Sequence, residues 1–322
     1  MGKIQSKRQQ LLWLLIILAI GCTILYTYPF GGRVIPYILK LRLRKVLTYA
    51  LVAVIASFST ISFQTITGNR FLTPSVLGLE SLYVLMQSVY LFFYWKWIEQ
   101  QAPNPIVEFL VVLLIQLLFF GLFQPIIRNL LTKGFGTILL ICMSLGTLFR
   151  SFSTYLQVLM DPNEYDKLQS KLFASLQHVN TDVLAMATVL VVISTIFLYR
   201  KSAILNVFYL GKSNATLLGI DVEKTQQTVL WIVVLLVSAS TAMVGPMTFF
   251  GFMLVNIVHQ LLNYYEHKWL FGVASLLGFV ILVIGQGVLE RLFNYQITIA
   301  MLVELLGGAF FFYLLYKERM KS

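Results

Sequence analysis

Residues 208–224 read FYLGKSNATLLGIDVEK, and two incompatible structures share that spelling. Gly211-Lys212-Ser213 is how a phosphate-cradling loop ends, but such a loop needs a glycine five residues earlier so that successive backbone N–H groups turn inward. That position is Asn206. The loop should also follow a buried strand, whereas VLAMATVLVVISTIFLYRKSAILNV (183–207) is an apolar run closed by Arg200 and Lys201. The other structure is an elbow: Ser213 caps a short helix through Leu218, Gly219 takes the left-handed position after it, and Asp221 caps a second helix with Glu223 in its first turn. An elbow of this kind exposes Leu217, Leu218 and Ile220, which either fill a partner's groove or pack on the chain's own helices.

The surrounding chain decides between them. Of 322 residues 58% are hydrophobic and only 11% charged, with mean hydropathy +0.82, against roughly 25% charged in a soluble domain. This is the composition of an all-α integral membrane protein. The net charge of +11 does not mark a nucleic-acid binder, because most cations punctuate apolar runs instead of forming a solvated patch. Cys22 and Cys142 both lie in apolar runs and read as packing residues. The start MGKIQSKRQQLLWLLIILAIGC imitates a myristoylation site and a lipoprotein signal, yet the apolar run continues past Cys22, so it reads as a first membrane helix.

A span needs about 20 mostly apolar residues, and ten stretches qualify: Leu11–Tyr28, Val46–Ile66, Val76–Trp95, Ile106–Phe123, Phe135–Leu159, Asp182–Tyr199, Thr228–Gly245, Thr248–Leu262, Trp269–Leu289 and Ile297–Tyr316. Pro246, between the seventh and eighth, requires a tight turn or a helix break. The chain reads as a single transmembrane domain, 1–322. With both termini inside, fourteen Lys and Arg fall on the inner side and nine on the outer, the bias expected of cytoplasmic segments. The exception is one outer loop ending YILKLRLRKVL, where Arg42, Arg44 and Lys45 cluster. They either snorkel to lipid phosphates or dock an acidic partner. A second outer segment, about 164–180, carries Leu168, Leu172, Leu176 and Val179 at helical spacing and is expected to form one surface helix after the turn Asp161-Pro162-Asn163.

Chemistry is sparse. His178, His259 and His267 stand apart with no metal-ligand spacing, and neither a nucleophile elbow nor a pair of carboxylates in a polar setting is present, so the chain is not expected to be an enzyme or to hold a metal. Glu80, Glu108, Arg150 and Glu304 lie at membrane depth, where ionisable groups mark bundle interiors or permeation routes. Glu108, near a helix end, is expected to be solvated. Arg150 and Glu304 are each about 10 Å below the outer surface at ~1.5 Å per residue and are expected to reach one cavity, as a local ion pair or as part of a route.

The elbow residues Leu210-Gly211, Ala215 and Leu218-Gly219-Ile220 have the spacing of the coupling segment of bacterial ABC importer permeases for iron–siderophores, haem and vitamin B12, and the whole chain resembles that family. Asn69, Pro74, Leu77 and Gly78 in NRFLTPSVLG, then Gly245, Pro246, Phe249 and Gly251 in GPMTFFGF, fit further family segments, and ELLGGAFFFYLL resembles the family's ending. The family's Pro-His and following Arg are replaced by Val255-Asn256 and His259, and its Arg-Leu-Pro-Arg by Arg42-Leu43-Arg44-Lys45. These departures resemble the branch with two different permease subunits, and RFLTP and DPNE resemble permeases for catecholate siderophores.

The resemblance implies a type II ABC importer permease fold in a bacterial cytoplasmic membrane. It implies that Leu210, Gly211, Ala215, Leu217, Leu218, Gly219 and Ile220, within a coupling segment of about 200–228, engage a separate ATPase dimer. That partner would hold ATP and magnesium, and this chain no cofactor. Arg42, Arg44, Lys45 and Arg291 would receive an extracytoplasmic binding lipoprotein. Arg150 and Glu304, on the fifth and tenth spans, would face a route shared with a second permease subunit, in a heterodimer or a homodimer, and carry a ferric siderophore. Haem, cobalamin or a metal ion is the alternative cargo, and a stand-alone secondary transporter the alternative class.

Overall fold

The computed structural model describes residues 2–28, 36–100, 103–131, 135–176, 179–262, 265–292 and 297–320, and every regular element among them is helical. Helices α1 (Gly2–Thr27), α2 (Pro36–Thr67), α3 (Leu79–Gln100), α4 (Pro105–Leu131) and α5 (Phe135–Leu159) lead to a short α6 (Pro162–Leu172). Then come α7 (Thr181–Arg200), the short α8 (Ser202–Phe208) and α9 (Lys212–Leu217), α10 (Val222–Val244), α11 (Thr248–Leu261), α12 (His267–Leu292) and α13 (Ile299–Arg319). Eight of these, α1, α2, α4, α5, α7, α10, α12 and α13, are long and apolar enough to cross a bilayer. The other two expected spans are α3, whose 22 residues include Glu80, Lys96 and Glu99, and α11, with 14 residues. His178 lies outside the described residues.

α2 is the central post, packed against α7, α10, α11 and α12, with Tyr49, Ile61, Phe63 and Ile66 fully buried. Lipid tails are as apolar as leucine, so helices in a bilayer associate through close packing, favoured by small residues. α2 supplies Ser57, Ser59, Thr60 and Ser62, all buried. Gly251 of α11 approaches so closely that a Cβ there would sit 2.2 Å from the Thr60 hydroxyl oxygen, and one on Gly278 of α12 would sit 3.2 Å from the Ala53 Cβ. Phe58 and Phe271 stack at 4.2 Å across the α2–α12 seam. The outer faces carry exposed Ile17, Leu118, Leu148, Ile193 and Leu305, the reverse of a soluble protein and suited to lipid.

Two helix breaks interrupt this packing. Pro74–Leu77 forms a 3-10 turn, and Gly78, at φ 80°, redirects the chain into α3. The third span therefore starts at Leu79 and not at Val76. The expected break at Pro246 is present: α10 ends at Val244, Gly245 takes φ 100°, and α11 begins at Thr248. Side chains from neighbouring helices serve the backbone here and at the end of α2. Gln226 donates to the Ile66 carbonyl at 2.7 Å, Gln64 to Arg70 at 2.7 Å and Gln116 to Leu79 at 3.0 Å.

The expected surface helix over 164–180 is shorter. α6 ends at Leu172, Phe173 is extended at φ −77° and ψ 116°, and the Ser175 N–H donates to the Val244 carbonyl at 2.8 Å. That bond to the end of α10 outweighs another helical turn. Leu168 is buried with Leu91, Ile98 and Met160, and Leu172 packs against them, whereas Leu176 and Val179 are buried in the main core.

Candidate functional site

The elbow is rigid at both ends. Gly211, at φ 92°, is the residue before α9, a conformation that disfavours any side chain. Ser213 therefore lies inside the helix and does not cap it. After α9 the Gly219 N–H donates to the Thr216 carbonyl at 2.9 Å and the Ile220 N–H to Ala215 at 3.1 Å, the paired bonds of a Schellman ending around a left-handed glycine, here with φ 80°. Asp221 then caps α10 by accepting from the Lys224 N–H at 3.0 Å. Ala215 is fully buried and Ile220 packs on the core. Leu217 is 84% exposed, Leu218 64% and Leu210 59%. The seven residues thus divide: two glycines turn the chain, two side chains root it, and three leucines face out.

The root is fastened by a polar hub spanning three helices. On α8, the Asn206 Oδ1 accepts from the backbone N–H of His267 at 2.9 Å and from its Nδ1 at 2.7 Å. Because that oxygen only accepts, Nδ1 carries the proton, which leaves Nε2 to meet the Thr65 hydroxyl of α2 at 2.8 Å. Tyr209 stacks on the His267 ring at 5.0 Å and Tyr265 meets Tyr209 at 5.3 Å. Arg70 lies over the Tyr265 ring at 5.7 Å.

At the opposite end, two of the four expected docking cations are held internally. Arg42 donates to the Tyr26 carbonyl at 2.7 Å and lies over the Tyr26 ring, serving the open carbonyls of the α1 C-terminus. Lys45 pairs with Glu290 at 3.4 Å, and Glu290 also accepts from the Tyr26 hydroxyl at 2.8 Å and from Gln286 at 3.0 Å. This junction ties α1, α2 and α12. Arg44 instead lines a separate cleft of about 550 Å³ with Glu108, Lys171 and Asn180, and Arg291 is exposed in the last turn of α12. Glu108 is not merely solvated: it is ion-paired with Lys171 and accepts from Gln87 at 3.3 Å.

Between these ends lies a cavity of about 860 Å³, lined by Arg150, Thr147, Ser151 and Thr154 of α5 and by Glu80, Thr248 and Phe249 around the helix breaks. Arg150 and Glu304 do not meet as a pair. Glu304 accepts from the Phe249 N–H at 3.1 Å, where the first turn of α11 leaves its N–H groups open. Glu80 accepts from the hydroxyls of Thr248 at 2.6 Å and Ser75 at 3.0 Å, and Arg150 is within electrostatic reach of it. The cavity thus places one cation opposite a carboxylate already occupied by two hydroxyls.

Residues 33–317 match the sequence model of the FecCD transport family. The petrobactin import system permease protein YclO of Bacillus subtilis (strain 168) is 37% identical over 317 residues, 97% of this chain and 98% of that protein. The petrobactin import system permease protein FatC of Bacillus anthracis is 30% identical over 329 residues, 98% of this chain and 91% of that one. A solved chain described as a metal-chelate type ABC transporter in an inward-facing conformation superposes with TM-score 0.81, covering 96% of this chain and 99% of its own, at 22% identity. That last likeness is one of fold.

The hub is the part of the site that sequence reading missed. Thr65, Asn206 and His267 are separated by 61 residues or more, and no local spacing links them; the one trace is a histidine at the start of an apolar run. His267→Ala is expected to remove the two side-chain bonds of the hub, to Asn206 and to Thr65, costing about 1–3 kcal/mol. The purified protein should unfold at a lower temperature, and trypsin should cut at Lys212 sooner than in the unaltered protein.

Proposed function

The chain belongs to the FecCD transport family, and on that premise we propose that it is the permease subunit of an ATP-binding-cassette importer that carries a ferric siderophore inward. It is a multi-pass protein of the bacterial cytoplasmic membrane. The observation that carries the reading is Leu217, 84% exposed on a helix locked at both ends. An apolar side chain so presented suits a cleft in another protein, and a partner ATPase dimer holding ATP and magnesium supplies that cleft in an importer. Closure of the ATPase would move α9 as a body, and the Ala215 root and the His267 hub would carry the displacement to α2, α10 and α12. No catalysis is assigned to this chain. Both termini lie on the ATPase side, in keeping with the inner excess of cations.

The cargo assignment is supported by two relatives named as petrobactin import permeases. Arg150 would draw an anionic ferric chelate into the cavity, since a cation in a low-dielectric recess raises the local concentration of anions. A second permease subunit would complete the route, covering exposed apolar side chains of α5 and α13 such as Leu148, Phe152 and Leu305. On the outer side, Arg44 would be the cation of the cluster placed to receive a binding lipoprotein, while Arg42 and Lys45 hold the bundle together.

Three variants test these assignments. Replacing Leu217 and Leu218 together by Asp should abolish copurification of the ATPase and lower uptake more than tenfold, given that a buried interface anchor contributes roughly 2 kcal/mol or more; unaltered uptake would refute the coupling role. Arg150→Gln should slow uptake severalfold without disturbing assembly, and a normal rate would remove Arg150 from the route. Arg44→Glu should weaken capture of the binding lipoprotein most strongly at low salt, with unchanged affinity in a pull-down arguing against docking there.

A further inference from the structure

A groove opens where α4, α7 and α10 meet, and its lining changes character along its length. On α10, Lys224, Gln227 and Thr228 give way to Trp231, Ile232 and Leu235, steps of three and one that keep all six on one helix face. The same gradient holds on α4. Gln124 of α4 lies one turn from Phe120, whose ring meets Trp231 at 4.9 Å and at right angles. Ile193 of α7, 62% exposed, leaves the apolar half open sideways. The cavity measures about 470 Å³, and among its described lining residues Lys224 is the one charged group.

We propose that this groove is a binding site for an anionic phospholipid of the cytoplasmic leaflet. The occupant has to be an amphiphile, because the groove offers a cation and amide groups at one end and hydrocarbon at the other. Its head must be anionic, because Lys224 makes no ion pair among the described residues and no carboxylate lines the groove. Length agrees as well. The eleven steps from Lys224 to Leu235 rise about 16 Å at ~1.5 Å each, close to half of the ~30 Å hydrocarbon core. One leaflet therefore fits, with the phosphate beside the first turn of α10, next to the Asp221 cap that closes the elbow. The choice of leaflet rests on the orientation proposed above; the existence of the site does not.

Native mass spectrometry on the full-length protein tests it. The delipidated protein is exposed to vesicles of dioleoylphosphatidylglycerol or of dioleoylphosphatidylcholine, and retained lipid is counted. Phosphatidylglycerol should be retained in preference, and Lys224→Gln should lower its retention about fivefold, as expected for one lysine at an anionic membrane surface. Ile193→Trp should lower it by filling the apolar half, whereas Lys268→Gln, which removes a lysine from α12, should leave it unchanged. Equal retention of the two lipids, or undiminished phosphatidylglycerol retention in either groove variant, overturns the proposal. The measurement reads binding and neither orientation nor uptake, so its failure would leave the permease reading intact.

Discussion

At membrane depth an open backbone carbonyl or amide has no water to turn to, and this constraint governs the molecule wherever a helix stops. Each interruption is served by a side chain from elsewhere in the bundle. Gln226 reaches from α10 to the last turn of α2, Glu304 from α13 to the first turn of α11, and Gln116 from α4 to the Leu79 carbonyl at the start of α3. These bonds stabilise the breaks and also connect them. A displacement of α10 is felt at the end of α2, and a displacement of α13 at the start of α11. Broken helices are therefore the joints of this bundle, and the buried polar side chains are their fastenings.

The elbow follows the same logic outside the apolar zone. Its glycines supply two left-handed turns that no other residue adopts cheaply, its caps close the free N–H and C=O groups, and its single buried residue, Ala215, is small enough to sit flush on the bundle. Facing outward are Leu210, Leu217 and Leu218, among the exposed polar Lys212, Ser213, Asn214 and Thr216. On the preceding helix, α8, the Asn206–His267 contact fastens the chain to α12. The nucleotide-loop reading fails on the same geometry. Lys212 and Ser213 belong to a helical turn whose start is a single glycine, with no succession of inward N–H groups to hold a phosphate.

Much of this is legible in the order of the amino acids, and what is legible there is local. Apolar runs locate the membrane helices, Gly219 marks the end of α9, Asp221 marks the start of α10, and Pro246 marks the break. Expectation and fold part where a distant group outweighs a local preference. The surface helix stops at Leu172 because Ser175 finds the Val244 carbonyl, and Gly211 displaces Ser213 as the residue before α9 because it alone accepts φ 92°. Glu108 has the position of a solvated carboxylate near a helix end, yet Lys171 pairs with it from 63 residues away. Arg150 and Glu304 sit on the helices expected of them, but the acid is drawn to the open N–H of Phe249. Side-chain partners across a bundle depend on rotation and depth of helices, which spacing within one helix does not encode.

The outer cations show how far such a partner can alter a sequence argument. The segment expected as the loop before the second span holds five of the nine outer Lys and Arg, but Arg42, Arg44 and Lys45, three of those five, lie in the first turns of α2, which begins at Pro36 and not at Val46. In the fold Arg42 is a cap on the C-terminus of α1, where the helix dipole favours a cation, and Lys45 is one half of an ion pair with Glu290. A charge neutralised by a helix end or a carboxylate differs from a free loop charge as a signal of sidedness. Arg44, in contrast, lines a cleft together with Glu108 and Lys171.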